Sequence, residues 1–366
     1  MWLFKHTQFR YIAVQESDTS AEVEQQKESK DKQQTKRPWY RILSILSICV
    51  LCAIIGFLWG RSIQDNGFIV TLKGSKQFSK CTNPPTRREW RSLSNFEKDE
   101  YIGAVRCLLA QPSKLMANRT LYDDFPYLHS QIGAYSHGAA AFLSWHRYLL
   151  HIYEKELKET CGYTGSLTYW DWSLDWENLA NSPVFSNSTG FGGNGSPNAP
   201  KSVAYGHCVT DGPFSDLALP FFGSDDYLHC LSRGFNDGNV DGHLLGDEIQ
   251  PAMIEEILRQ PDFEGFFSRL EHGHSQIPNG IRGDFYSFTA PNDPLFFLHH
   301  SQVDRLWWMW QQRDLPVRIS DYAGKARRGS EDRASLSDVL RMGGFASDIH
   351  VSDIMNTELD LLCYRY

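Results

Sequence analysis

Residues 42–59 read ILSILSICVLCAIIGFLW, eighteen positions without a charge. Their length and apolarity predict one transmembrane helix over 42–60, with Trp39, Tyr40 and Trp59 as interfacial anchors. Ahead of it, residues 1–41 are rich in Gln, Glu and Lys and poor in aromatics, which predicts a disordered tail. Residues 61–80 read as a short stalk and 81–366 as one globular domain. Within that domain Tyr101, Ile102, Val105, Leu108 and Leu109 recur at helical spacing. Ser94 and Glu97 supply a capping box at the start of this helix. Leu143, Leu150, Tyr153 and Leu157 predict another helix from about 140 to 158. Shorter helical runs follow at 249–258 and 263–270. Residues 181–247 carry no periodic core pattern and predict a long irregular segment placed to wall a pocket. Residues 321–333, charged and containing glycine, predict a surface loop.

Composition adds a compartment. With 366 residues, 41% of them hydrophobic and 13% aromatic, the chain can bury a sizeable core. Its net charge of −8 gives no reason to expect nucleic acid as a partner. Lys27, Lys30, Lys32, Lys36, Arg37 and Arg41 precede the apolar run, whereas only Arg61 follows it closely. The positive side stays cytosolic, which predicts a cytosolic tail and a single-pass type II membrane protein with a lumenal or extracellular domain. Two features agree with that side. The sequons at Asn118, Asn187 and Asn194 all follow the run, as expected for a glycoprotein. So do six of the eight cysteines, Cys81, Cys107, Cys161, Cys208, Cys230 and Cys363, which admit fifteen disulfide pairings.

The candidate chemistry is histidine. His129, His137 and His146 fall within eighteen residues, and His272, His274, His299 and His300 form a second group downstream. Imidazole is a ligand that copper, zinc and iron all accept. His137 and His146 are nine positions apart, about 180° around a straight helix, so one continuous helix cannot aim both at one metal. His137 must therefore stand at or before the helix start, where Gly138 permits irregular backbone. His151, His207, His229 and His243 read as packing or surface residues. The Tyr169, Trp170, Asp171, Trp172, Ser173 run reads as an aromatic core plug.

HGAAAFLSWHR (137–147) and NDPLFFLHHSQVDRLW (292–307) resemble the two copper-binding signatures of the tyrosinase family. Residues 169–173 and 87–94 are also similar to that family, and the likeness spans roughly 81–315. The resemblance implies a mainly α fold, a dicopper four-helix bundle with long irregular loops. It implies two copper ions, with His129, His137 and His146 on the first, and His274 and His300 on the second. One departure stands out: the family pattern places a histidine four residues after His274, and here that position is Pro278. The candidates to replace it are His272, Glu271, a solvent molecule and His299. Otherwise His299, His272 and Asp304 are expected to orient the ligand rings. Glu271 is also a candidate base acting through water, because Ser275 stands where efficient phenol-hydroxylating relatives have asparagine.

The implied activity is a copper-dependent oxidase or monooxygenase using O2 on a phenolic, tyrosine-type small molecule or peptide. Short anchored fungal members accompany secondary-metabolite and mycotoxin pathways, including cyclic ribosomal peptides of the ustiloxin and phomopsin type. The alternatives are a general polyphenol oxidase making quinones for pigment and a non-catalytic copper or O2 binder.

Overall fold

A computed structural model of the chain describes residues 80–366 apart from 238, 239, 245 and 360. The predicted tail and span, and all of the stalk but Lys80, lie outside the described residues. Among the described residues no helix is long and apolar enough to cross a membrane.

Helix α1 (Asn95–Leu108) starts at the predicted capping box: the Ser94 hydroxyl accepts from the Glu97 N–H and the Glu97 carboxylate accepts from the Ser94 N–H. Its predicted face, Tyr101, Ile102, Val105 and Leu108, is buried. Helix α2 (Asp124–Gln131) follows, and then α3 (Ala141–Glu159), within a residue of its expected bounds. Helix α4 (Pro251–Leu258) leads into α5 (Phe263–Ile281), and α6 (Leu295–Gln312) is followed by the one-turn α7 (Leu315–Arg318).

Helix α5 corrects the expected run over 263–270. It continues for eleven more residues with Pro278 inside it. An interior proline costs a helix about 3 kcal/mol. Here Phe263, Phe267, Leu270, His274, Ile277 and Ile281 repeat at alternating steps of four and three, and all are buried. That continuous stripe outweighs the proline.

Helices α3 and α6 are locked together behind the histidines by buried charges. The Asp304 carboxylate accepts from Arg147 Nε at 2.5 Å, Arg87 Nη1 at 3.3 Å, and the Tyr364 and Tyr366 hydroxyls at 2.6 Å each. Arg87 also meets Glu154 at 2.6 Å, and the Arg147 guanidinium lies 3.6 Å from the centre of the Trp307 ring. Burial alone would raise the Asp304 pKa, but Arg147 and Arg87 hold it below the usual carboxylate range. The last residues of the chain thus brace the helix that carries His300.

The irregular segment holds short paired strands. Strand β1 (His207–Cys208) pairs with β4 (Ser232–Arg233), and β2 (Ala218–Phe222) with β3 (Asp225–Cys230), all antiparallel. Farther on, β5 (Val339–Leu340) pairs with β6 (Ile349–His350). Arg233 fastens the segment to the entrance of α6 through a buried two-point contact with Asp293, at 2.7 and 2.9 Å. Disulfides join Cys81 to Cys363, Cys107 to Cys161 and Cys208 to Cys230. Three such bonds belong to an oxidising compartment, secretory or extracellular.

Candidate metal centre

Four helices each deliver histidine to one place. His129 comes from the last turn of α2, His146 from α3, His274 from α5, and His299 and His300 from α6. His137 stands in the turn ahead of α3, as its spacing predicts, and Gly138 makes that turn with a φ of 66°. The approach of this segment to α3 requires glycine at 133, where a Cβ would lie 2.6 Å from the Trp145 ring. The predicted surface loop braces the turn from outside: the Ala140 N–H donates to Lys325 O at 2.9 Å and the Arg328 N–H to Tyr135 O at 2.8 Å.

The described residues gather two donor groups, His129, His137 and His146, and His274, His299 and His300; within each, one ligand atom per residue lies within 4.8 Å of the others. In the first group Nε2 of His129 is 3.1 Å from Nε2 of His146 and 3.3 Å from Nε2 of His137. In the second, Nε2 of His274 is 3.3 Å from Nε2 of His300. The groups meet where the His146 and His300 rings stack, 4.2 Å apart and 9° from parallel.

Burial tunes these rings toward metal binding. It drives His129 and His299 down to about 3, and it pushes His146, His274 and His300 well below the ordinary histidine value. Neutral imidazole is the form that ligates a metal. Nδ1 of His129 donates to Phe288 O and Nδ1 of His146 to Phe142 O, both at 2.6 Å. A carbonyl on Nδ1 fixes the proton there and leaves the Nε2 lone pair free, the usual support of a metal-bound histidine. The donor set therefore fits a pair of soft-to-borderline ions such as copper.

Other predicted residues fall elsewhere. His272 does not orient a ligand ring: its side chain is 69% exposed and lies 4.0 Å from Glu248. In helical backbone, residues two apart point about 200° apart, so His272 faces away from His274. Both Glu271 oxygens accept from the Gly138 N–H, at 2.8 and 3.0 Å, and one lies 3.5 Å from His137 Nδ1. Glu271 thus ties α5 to the first group and is not among the residues lining the adjacent cavity. Asp304 contacts arginines and tyrosines, and no hydrogen bond joins it to a histidine among the described residues. Ser275 Oγ donates to Glu271 O at 2.9 Å.

A cavity of about 260 Å³ opens onto both groups, lined by His129, His137, His274 and His300 together with Pro278 and aromatic residues. Phe288, Phe296 and Phe285 form its apolar wall, and Ser275, Asn279 and Tyr286 its polar part. The irregular segment does not wall this cavity, contrary to expectation. It contributes Tyr205, Asn236 and Asp237 to a neighbouring cavity of about 550 Å³, which shares Asn279 and Tyr286 with the first. The cavity phenylalanines escape a sequence reading because aromatic positions beside histidines look like core. Trp172 escapes it too: its indole N–H donates to His299 Nδ1 at 3.1 Å. A donor-only group in a buried tryptophan implies a partner, and that was the available signal.

Comparison with known proteins agrees with this arrangement. The common central domain of tyrosinase matches residues 119–313. The chain is 46% identical to the tyrosinase ustQ of Aspergillus flavus over 330 residues, 90% of this chain and 89% of that one. It is 42% identical to the tyrosinase-like protein phomQ2 of Diaporthe leptostromiformis over 335 residues, 91% and 86% of the two chains. Among solved structures, a polyphenol oxidase from Thermothelomyces thermophila superposes with a TM-score of 0.68 at 29% identity, covering 77% of this chain and 88% of that one. Two histidine groups in a largely helical fold, matched over more than half the chain by one family, leave a single assignment: the protein belongs to the tyrosinase family and is a copper-dependent oxidoreductase with two copper ions as its cofactor.

Proposed function

We propose that this copper oxidase serves fungal secondary metabolism by oxidising, with O2, a phenol carried on an uncharged scaffold, such as a tyrosyl residue within a peptide. In this reading His129, His137 and His146 hold one copper, and His274 and His300 anchor the other. When bound, the copper pair supplies the electron transfer to O2. The chain's own part is to bind and orient the phenol and to exclude water.

The observation that carries the substrate class is the charge of the cavity. Among the described residues lining it there is no arginine, lysine, aspartate or glutamate. Held wholly within this space, a free amino acid's ammonium and carboxylate would have no charged side chain to pair with, and unpaired buried charge is costly; Asp237 and Arg282 line only the neighbouring cavity. A phenol ring brings no charge to bury in this space. Phe288 and Phe296 offer it faces, and Asn279 and Tyr286 lead from the ring position into the larger polar cavity, which has room for flanking groups. The relatives named ustQ and phomQ2, a tyrosinase and a tyrosinase-like protein, support a phenolic substrate.

We place the domain on the lumenal side of a single membrane anchor at 42–60, after a disordered cytosolic tail and before a stalk. The charge bias of residues 27–41 and the three disulfides support this placement. Asn118 and Asn187 are exposed and suited to glycosylation. Asn194 is half-buried, with its Oδ1 accepting from the Gly195 and Phe235 N–H groups.

The test is O2 consumption by the copper-loaded full chain with three substrates: free tyrosine, a simple catechol, and a tyrosyl peptide blocked at both ends. The blocked peptide is expected to exceed free tyrosine at least tenfold in kcat/KM, about 1.4 kcal/mol of discrimination. Faster turnover of free tyrosine or its catechol would instead identify a pigment-forming polyphenol oxidase.

A further inference from the structure

The six histidines at the centre do not all present the same nitrogen. Neutral imidazole has one N–H and one lone pair, and a metal needs the lone pair. Nδ1 of His129 and of His146 faces a backbone carbonyl, and Nδ1 of His137 lies 3.5 Å from the Glu271 carboxylate. The two carbonyls accept, and so hold the proton on Nδ1 of His129 and of His146 and free their Nε2; the Glu271 carboxylate lies near His137 Nδ1 but is hydrogen-bonded to the Gly138 N–H. No hydrogen bond reaches Nδ1 of His274 or of His300, whose Nε2 atoms face each other. At His299 the polarity is reversed. Trp172 Nε1–H donates to its Nδ1 at 3.1 Å, and an indole N–H can only donate. The Nδ1 lone pair is therefore occupied, and the ring's single proton must sit on Nε2, which is buried and without a partner.

We infer that Trp172 holds His299 in a tautomer that cannot ligate, so that the second copper has two protein imidazoles, His274 and His300, and one position open to a small exogenous ligand. This rests on the reading that copper occupies the site. It separates His299 from the group its position alone would place it in. It also gives the TyrTrpAspTrpSer run a task besides packing: Trp172 is a positioning residue acting through His299. The backbone supports that placement, because the Trp170 N–H donates to Leu298 O at 3.1 Å and so fixes the run against the turn that carries His299.

The experiment loads the full chain with Cu(I), removes excess metal, and measures copper per chain together with imidazoles per copper by X-ray absorption at the copper edge. Wild type is expected to hold two coppers with an imidazole count averaging between two and three. His299→Phe should leave both quantities unchanged. Trp172→Phe keeps an aromatic plug but removes the N–H, and its imidazole count should rise to three. Loss of one copper in His299→Phe overturns the inference, as does a wild-type count of three imidazoles per copper. An unchanged count in Trp172→Phe overturns the tautomer lock. If His299→Phe does not fold, the wild-type and Trp172→Phe counts decide. One copper or none in wild type sinks the copper-pair reading itself, and is distinguished from the other failures because it precedes any substitution.

Discussion

The two histidine groups face each other across one stacked ring pair, yet they are built on different principles. In the first, three separate segments converge, and two of the histidines have a hydrogen-bonded acceptor behind Nδ1, a carbonyl for His129 and for His146, while the Glu271 carboxylate lies 3.5 Å from His137. In the second, two long helices supply the rings, Pro278 fills the helix position expected to hold an imidazole, and Nδ1 of His274 and of His300 makes no close hydrogen bond, the Glu271 backbone acting only weakly on His274. Acceptors behind the ring raise ligand basicity and fix orientation. The first site is thus pre-organised, while the second relies on burial and on the rigidity of α5 and α6.

Removing a ring from either side should have the largest effect. His146→Ala and His300→Ala are each expected to lower O2 turnover at least a thousandfold, about 4 kcal/mol of activation free energy. Metal analysis then separates them, with His300→Ala keeping the first copper. Two coppers retained in His300→Ala would show that another group, rather than His300, anchors the second.

Next comes the scaffold behind the second site. Asp304→Ala leaves Arg147 buried with no carboxylate partner and Arg87 with Glu154 alone, which costs about 3–5 kcal/mol. Calorimetry should show a fall in Tm of roughly 10 °C. A shift of only a degree would mean that Glu154 and the backbone carbonyls on Arg147 compensate.

Acid should act on both groups in the metal-free chain. Burial holds His129 and His299 at about 3, far below their unfolded value. Below about pH 6.5 the unfolded chain therefore binds more protons than the folded one, and stability must fall as pH falls toward 3. Each ring contributes about 2 kcal/mol of loss at pH 5. A thermal scan from pH 7.5 to 5 should record the decline, and bound copper should lessen it by holding the lone pairs. A flat metal-free profile would deny that these rings are buried neutral.

The smallest effect would make the two sites alike. Pro278→His restores the imidazole four residues after His274, and copper retention at the second site is expected to rise about tenfold in chelator competition. No change would indicate that this part of α5 does not aim position 278 at the metal.

Much of this contrast was legible in the chain. The nine-residue spacing of His137 and His146 placed the first ahead of α3, and Pro278 announced the departure at the second site. The extent of α5 was not legible, because a glycine and a proline after Leu270 are local stop signals. What overrides them is burial of His274, Ile277 and Ile281 against other elements, a tertiary fact. The place of His272 was lost with it, since extended and helical backbone send residues two apart in different directions. The Trp172–His299 hydrogen bond spans 127 positions, and no local pattern reports a contact of that range.

The disulfide between Cys81 and Cys363 makes the domain a covalent ring of 282 steps. A protease that cuts once beside the exposed residues Asn187 and Ser188 would release nothing. Both halves would stay tied to each other and to whatever precedes Cys81. On a denaturing gel the nick would be invisible until a thiol reductant was added. Such a closure lets the catalytic unit outlast damage to its own backbone.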